Sequence, residues 1–133
     1  MADGVPDNIE LEVATPEREL VHESVTEVQV PGKDGYLGIL PGHAALLGLL
    51  GTGALSYTAG GRKHALAIQG GFLEVQSGQV RVLADVAQRG EDVDVGRARS
   101  DLATAESQLT TDPEHALPAA AFAQARIDAA GAR

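Results

Sequence analysis

Strict alternation of apolar and polar residues marks the first third of the chain. In the stretch NIELEVATPE, the side chains of Ile9, Leu11 and Val13 alternate with two glutamates. A period of two places the apolar residues on one face, so the stretch predicts a half-buried strand that ends near the Thr-Pro pair. The stretch ESVTEVQVPG repeats the pattern, and Val28 and Val30 are predicted to face inward.

Short segments separated by glycine-containing turns continue the pattern up to residue 89. The segments ALSYT, RKHALAI, FLEVQ and QVRVLADVA follow one another in this way. The spacing predicts an antiparallel sandwich or barrel, with a break between two strands at Gly70 and Gly71. In HALAIQG, alanines occupy one face and Leu66 and Ile68 the other. We expect this strand to be covered on both faces, as in the middle of a sandwich.

The periodicity changes near residue 90, where apolar residues begin to recur at helical spacing. These positions are Val95, Ala98, Leu102, Ala105 and Leu109. The pattern predicts an amphipathic helix, and either Asp92 or Asp94 can cap its first turn. Pro113 and Pro118 predict an interruption, followed by a second short helix in AAAFAQARIDAA that ends at Gly131. Because alanine buries little apolar surface, we expect this helix pair to be weakly held.

Composition and charge narrow the classes of function. The 133 residues are 44% hydrophobic, enough for a buried core, but only 3% are aromatic. Asp and Glu number 19 against 10 Lys and Arg, which gives a net charge of −9. An acidic surface repels phosphate backbones and anionic lipid, so we expect neither nucleic-acid binding nor direct membrane insertion. The chain has no cysteine, which excludes disulfides and thiolate metal sites.

The most apolar part of the chain, residues 35–55, is divided by Pro41 and six glycines. A membrane-spanning helix needs about 20 consecutive, mainly apolar residues, so this segment does not predict one. The sequence also lacks the motifs HExxH, GxSxG and GxxxxGK[ST], and its four histidines are not paired at helical spacing. We interpret His43 as a hydrogen-bond partner of the local backbone. The chain is predicted to be non-catalytic and without a metal site, and the apolar stretch is predicted to be a docking surface.

Several motifs, in one order and spacing, resemble a known family. They are LEVATPE, VQVPGKDGYLGILPGHAALL, AIQGGFLEV and VRVLADVAQRGEDVDVGRARSDL. Together they resemble the epsilon subunit of bacterial F-type ATP synthase, from about Ile9 to Leu109. The resemblance implies an all-β N-terminal domain, a ten-stranded β-sandwich over residues 1–90, followed by a C-terminal α-helical hairpin over residues 91–133.

The resemblance also implies a role. Such a subunit belongs to the central stalk of the rotor, binds the γ subunit and stands on the c ring. It helps to couple proton translocation to ATP synthesis at the cytoplasmic face of the cell membrane, as a peripheral and non-catalytic component. A stand-alone ligand-binding β-sandwich is the alternative interpretation of the same residues.

The family's glycine- and proline-containing loop corresponds here to residues 35–43. The resemblance implies that it meets γ and the polar loops of the c ring, and its interface candidates are Tyr36, Leu40, Pro41, Gly42 and His43. Relatives often carry an acid where Tyr36 stands. A tyrosine can replace a charge-mediated contact by surface area and a hydroxyl group.

Some family members bind ATP on the helical hairpin through an Asp-x-x-Arg-Ala motif. The matching residues here are Val93, Asp94, Arg97 and Ala98. Gln88 stands where those members carry an acid, and the second helix offers only Arg126 as a phosphate partner. We therefore expect weak or no ATP binding. We also expect only weak inhibition of ATP hydrolysis by the tail, through limited contact with the α and β subunits, because the tail carries few basic residues.

Overall fold

The computed structural model describes residues 7–132, so most of the N-terminal segment before the first strand lies outside the described residues. The strands are β1 (Ile9–Ala14), β2 (Glu19–Val25), β3 (Glu27–Gly32), β4 (Gly35–Ile39), β5 (Leu46–Leu49), β6 (Thr52–Ala59), β7 (Arg62–Gln76) and β8 (Gln79–Arg89). After a 3-10 turn at Gly90–Asp92, the helices are α1 (Val95–Ser107) and α2 (Pro113–Gly131).

The strands form one folded sheet around an apolar core. They are hydrogen-bonded in the order β2-β1-β8-β7-β6-β3-β4, and β5 pairs with β7. The β1–β8 pair is parallel. The predicted inward residues of the first strands are all buried: Ile9, Leu11, Val13, Val28 and Val30. The alternation therefore identified the core face of β1 and β3 correctly.

Strands β7 and β8 serve both layers of the β-sandwich. In the first half of β7, Leu66 and Ile68 point into the core, whereas in the second half Leu73 and Val75 do so. The inward face thus changes from even to odd positions at the double glycine. The predicted break between two strands is wrong, because the chain bends there within one continuous strand. Counting β7 and β8 once in each layer brings the eight described strands to the ten that the resemblance implies.

The bend depends on Gly71 because the neighbouring strand passes very close to it. Gly71 has φ +115°, and a Cβ atom there would lie 2.0 Å from the carbonyl oxygen of Leu83. A side chain is thus excluded both by the backbone conformation and by the neighbouring strand. The long pairing of β7 with β8 continues through the bend without a register shift, from Leu66–Arg89 to Gln76–Gln79.

The outer face of β7 is covered by helix α2. Ala65 and Ala67 pack against Ala125 and Ala129, while the opposite face of the strand contributes to the main core. The prediction that this strand is covered on both faces is confirmed. The second cover is a helix, however, and not a second sheet. Small side chains on both sides let the helix approach the strand closely.

The helices form a hairpin, and the first was predicted well. Asp94 caps α1, since its Oδ1 accepts a hydrogen bond from the backbone nitrogen of Arg97 at 3.0 Å. The second helix is longer than predicted: it begins at Pro113 and continues through Pro118. Proline at the first helical position removes no helical hydrogen bond, since a backbone N–H at that position has no partner within the helix. Pro118 removes only one backbone hydrogen bond, the one to the carbonyl of Glu114, and both residues are exposed.

Candidate docking surface and nucleotide site

Three exposed apolar side chains form a row across neighbouring strands. Leu49 of β5 is opposite Phe72 of β7, and Phe72 is opposite Leu83 of β8. All three are about half exposed, with relative accessibilities of 50%, 58% and 45%. We call these three residues the apolar row. It faces outward because the double glycine places Leu73 on the inner face and hence Phe72 on the outer one.

A shallow groove continues from the apolar row. It has a volume of about 410 Å³ and is lined by Gly32, Lys33, Asp34, Gly35, Tyr36, Leu37, Leu47, Gly48 and Leu49. Leu49 belongs to both features, so the groove and the row form one surface. Leu47, two residues before Leu49 in β5, is 75% exposed. Contiguous exposed apolar residues of this kind mark interaction surfaces on soluble proteins.

Tyr36 lies at the edge of this groove with its hydroxyl group engaged by the sandwich. The hydroxyl oxygen accepts a hydrogen bond from the backbone nitrogen of Ala54 at 3.0 Å. The ring crosses β6 at Gly53, where a Cβ atom would lie 2.4 Å from that oxygen. The hydrogen bond fixes the ring, yet 57% of the residue stays exposed. Tyr36 therefore offers its ring, more than its hydroxyl, to a partner.

The loop after β4 is a separate feature. The Nδ1 of His43 donates to the carbonyl oxygen of Ala44 at 2.7 Å, and its backbone nitrogen donates to Leu40 at 3.1 Å. Gly42 has φ +86°, which closes this turn. The interpretation of His43 as a local backbone partner is confirmed. Tyr36 lies four residues away from Leu40 along an extended strand, about 13 Å.

The structure thus divides the five predicted interface residues into two groups. Tyr36 lies in the groove, whereas Leu40, Gly42 and His43 border a small cleft near the β7–β8 turn. Pro41, between them in sequence, is partly buried. A partner that touches both groups must extend along the length of β4.

The predicted nucleotide residues occupy the start of α1 and the middle of α2. Asp94 already accepts the capping hydrogen bond of α1, and Ala98 is fully buried. Arg126 of α2 donates from Nη1 to the Oδ2 of Asp101 at 2.9 Å. The Nε of Arg97 lies 3.8 Å from the other oxygen of the same carboxylate. In this arrangement Asp94, Arg97 and Arg126 each already make at least one polar contact within the protein.

A larger cavity lies elsewhere, beside the β6–β7 turn. Its volume is about 1000 Å³, and its lining combines Arg62, Lys63 and Arg89 with Glu23 and Glu91. Tyr57 donates to the Oε2 of Glu23 at 2.9 Å and stacks on His64. Burial, together with that hydrogen bond, raises the pKa of Tyr57 above its ordinary range. Because the lining carries both cations and carboxylates, its charge does not indicate one class of ligand.

A group of metal-compatible side chains lies on the surface of β1 and β2. It consists of Glu12, Glu19 and His22. The carboxylate of Glu12 already accepts from the Nε of Arg81 at 2.9 Å, and Glu19 and His22 are exposed. An exposed acidic group that is paired with an arginine is typical of a charged surface. We assign it no metal.

Comparison with known proteins connects this architecture to a family. A family model described as "ATP synthase, Delta/Epsilon chain, beta-sandwich domain" matches residues 8–90. The ATP synthase epsilon chain of Solibacter usitatus is 56% identical over 128 residues, which cover 92% of this chain and 96% of the relative. The chain belongs to the ATP synthase epsilon chain family. The ATP synthase epsilon chain of Koribacter versatilis is 45% identical over 109 residues, which cover 81% of this chain and 77% of that relative.

Solved structures agree at the level of the fold. A chain in the Euglena gracilis mitochondrial ATP synthase, in a structure of OSCP/F1/c-ring, gives a TM-score of 0.73 at 24% identity over 96% of this chain and 80% of its own. A chain of the Tetrahymena thermophila mitochondrial ATP synthase, in a structure of the central stalk/c-ring, gives a TM-score of 0.55 at 17% identity. The match covers 70% of this chain and 71% of the Tetrahymena chain. By its family the chain is a non-catalytic stalk subunit and a component of the ATP synthase complex.

Several surface residues were not predicted as site residues. Leu47 and Leu49 were visible in the apolar stretch, but their outward direction was not. Phe72 lies on the same face as Glu74, and Leu83 on the same face as Arg81, so the alternation with a period of two was the signal that could have placed both outward. In the described part of the chain, residues 7–132, no helix combines the length and apolar character needed to span a membrane.

Proposed function

We propose that this chain joins the γ subunit to the c ring in the central stalk, and that the apolar row is the centre of its contact with γ. The observation that carries this proposal is the exposure of Leu49, Phe72 and Leu83 in one cross-strand row. Aromatic and aliphatic anchors at the centre of an interface carry most of the binding free energy. The groove around Tyr36 extends this face.

The loop at residues 40–43 is the proposed contact with the polar loops of the c ring. Its backbone is held in a turn, and Leu40 and His43 are exposed beside it. Through these contacts the subunit would transmit rotation of the ring to γ, which couples proton translocation to ATP synthesis. Its place would be peripheral, on the cytoplasmic face of the membrane, and residues 1–90 would form the docking domain.

The helical tail, residues 91–133, is proposed to be regulatory with a weak effect. It packs on β6 and β7 mainly through alanines, and Arg126 is engaged with Asp101. A tail that inhibits hydrolysis must undock and reach the acidic surfaces of the catalytic α and β subunits, and this tail offers few cations for that contact. We also propose that the closed hairpin binds ATP weakly or not at all.

The test of this proposal compares two leucines of similar exposure on different faces. Leu49→Ser alters the apolar row, whereas Leu117→Ser alters an exposed leucine of α2, with accessibilities of 50% and 59%. We expect Leu49→Ser to weaken binding to the cognate γ subunit by about tenfold or more, and Leu117→Ser to leave it unchanged. The measurement is titration calorimetry with purified γ. Equal affinities for γ in the two variants would place the contact elsewhere.

A further inference from the structure

An ionic link joins the two helices of the hairpin. The buried residues of the hairpin are all alanines: Ala98, Ala105, Ala116, Ala123, Ala125 and Ala129. Alanine contributes little apolar burial, so a polar contact between the helices has a large share in keeping the hairpin closed. That contact joins Arg126 of α2 to Asp101 of α1, which are 25 residues apart.

Arg126 depends on Asp101 because its guanidinium group is largely buried. The side chain is only 14% exposed. Its Nε is buried and has no hydrogen-bond partner among residues 7–132. Removing the counter-charge of a buried cation is strongly destabilising, since the charge is then left without solvent or a partner. Asp101 therefore holds α2 against α1.

The same carboxylate also faces Arg97. Its Oδ1 lies 3.8 Å from the Nε of Arg97, while its Oδ2 accepts from Arg126. Arg97 is 75% exposed, so this second contact is the weaker one. Carboxylate and phosphate are alternative partners for the same guanidinium donors. Asp101 thus contacts both arginines that the family resemblance assigns to nucleotide phosphate.

We infer that Asp101 is the specificity-determining residue of the hairpin: it acts as an internal anion that takes the position of a ligand phosphate, so the hairpin closes without nucleotide and rejects ATP. The inference deepens the proposed weak ATP binding and is independent of the contact with γ. The fraction of molecules with a closed tail therefore does not change with the ATP concentration. Closure is set instead by a link that the chain carries within itself.

The test uses the full chain alone and measures amide hydrogen exchange in α2, with and without millimolar ATP or sodium tripolyphosphate. In the unaltered protein, neither anion should change the exchange of α2. Asp101→Asn should speed exchange in α2 by about tenfold or more, since it removes the charge and nearly preserves the size. Either anion should then restore much of the protection, because phosphate supplies the missing counter-charge. Exchange in β1 and β8 reports whether the sandwich stays intact.

Two further variants separate charge from structure. Asp101→Glu keeps the carboxylate and should retain protection and the lack of response to ATP. Glu106→Gln removes an exposed acid of the same helix for which no ion pair with α2 is seen among residues 7–132, and it should behave like the unaltered protein. Stronger protection of unaltered α2 by ATP would overturn the inference. So would an Asp101→Asn variant that exchanges at the original rate, or one that loosens and is not restored by either anion.

Discussion

The β-sandwich and the helical layer bury their residues in different ways. The sandwich core is made of large branched side chains, among them Leu11, Leu66 and Ile68, that come from strands far apart in sequence. The contact of α2 with the sheet is made of small side chains, chiefly Ala65, Ala67, Ala125 and Ala129 with the ring of Phe122 at its edge. Burial energy scales with the apolar area removed from water, so the first contact is much stronger than the second.

This difference indicates how one chain can contain a permanent part and a detachable part. A fully buried leucine contributes about 1.5–3 kcal/mol more than the same side chain left in water, while an alanine contributes roughly a third of that. We therefore predict that a modest competing interaction is enough for the helices to leave the sheet. The proposed docking face does not depend on the helices. The apolar row lies on β5, the second half of β7 and β8, whereas α2 covers Ala65 and Ala67 in the first half of β7.

The largest effect should come from a cavity in the sandwich core. Ile68 is fully buried, so Ile68→Ala should lower the free energy of unfolding by about 2–5 kcal/mol. Denaturant titration followed by circular dichroism measures this loss. Leu117→Ala, at an exposed position of α2, is the matched control and should change stability by less than about 0.5 kcal/mol. Similar losses in the two variants would contradict the assignment of the core.

A smaller and local effect is expected at the helix–sheet contact. Ala129 is fully buried against the sheet, so Ala129→Leu should overpack the contact and disfavour docking of α2 by about 1–3 kcal/mol. Hydrogen exchange should then rise in α2 while the sandwich strands stay protected. Ala121→Leu, on the exposed side of the same helix, should have no such effect. If the sandwich unfolds together with α2, the two parts are not separable.

The smallest effect concerns a polar contact at the edge of the sandwich. Tyr57→Phe removes the hydrogen bond to Glu23 and should cost about 1 kcal/mol at neutral pH. Burial, and then that hydrogen bond, raises the pKa of Tyr57 in the folded state above the unfolded value of about 10. The contribution of neutral Tyr57 to the free energy of unfolding is therefore complete below about pH 10. It is lost as the pH rises further, because the tyrosine ionises first in the unfolded chain.

The measurement is the free energy of unfolding of both proteins between neutral pH and about pH 11. The stability of the unaltered protein should fall more steeply above about pH 10 than that of Tyr57→Phe. Both proteins share all other titrating groups, so the difference between their two stability curves reports Tyr57 alone. Parallel curves would mean that Tyr57 ionises equally easily in the folded and unfolded chains.

Predictions from the sequence succeeded where a local pattern has one structural solution. The alternation around Leu11 fixed the core face of β1, and the acid at Asp94 was correctly among the two predicted caps of α1. They failed where a local signal has two solutions. Gly70 and Gly71 are compatible with a turn or with a bend inside a strand, and Pro118 with a helix end or with an interior position.

The sequence by itself determined the two-part organisation, the inward face of the first strands, the acidic surface and, through its motifs, the family. Only the tertiary structure decided which outward apolar residues come together, because Leu49, Phe72 and Leu83 lie on three strands and become neighbours only through the pairing of β5 and β8 with β7. The link between Asp101 and Arg126 was likewise invisible in sequence, since nothing local relates two residues on different helices. Local patterns fix which face of an element is apolar, whereas packing fixes what covers that face.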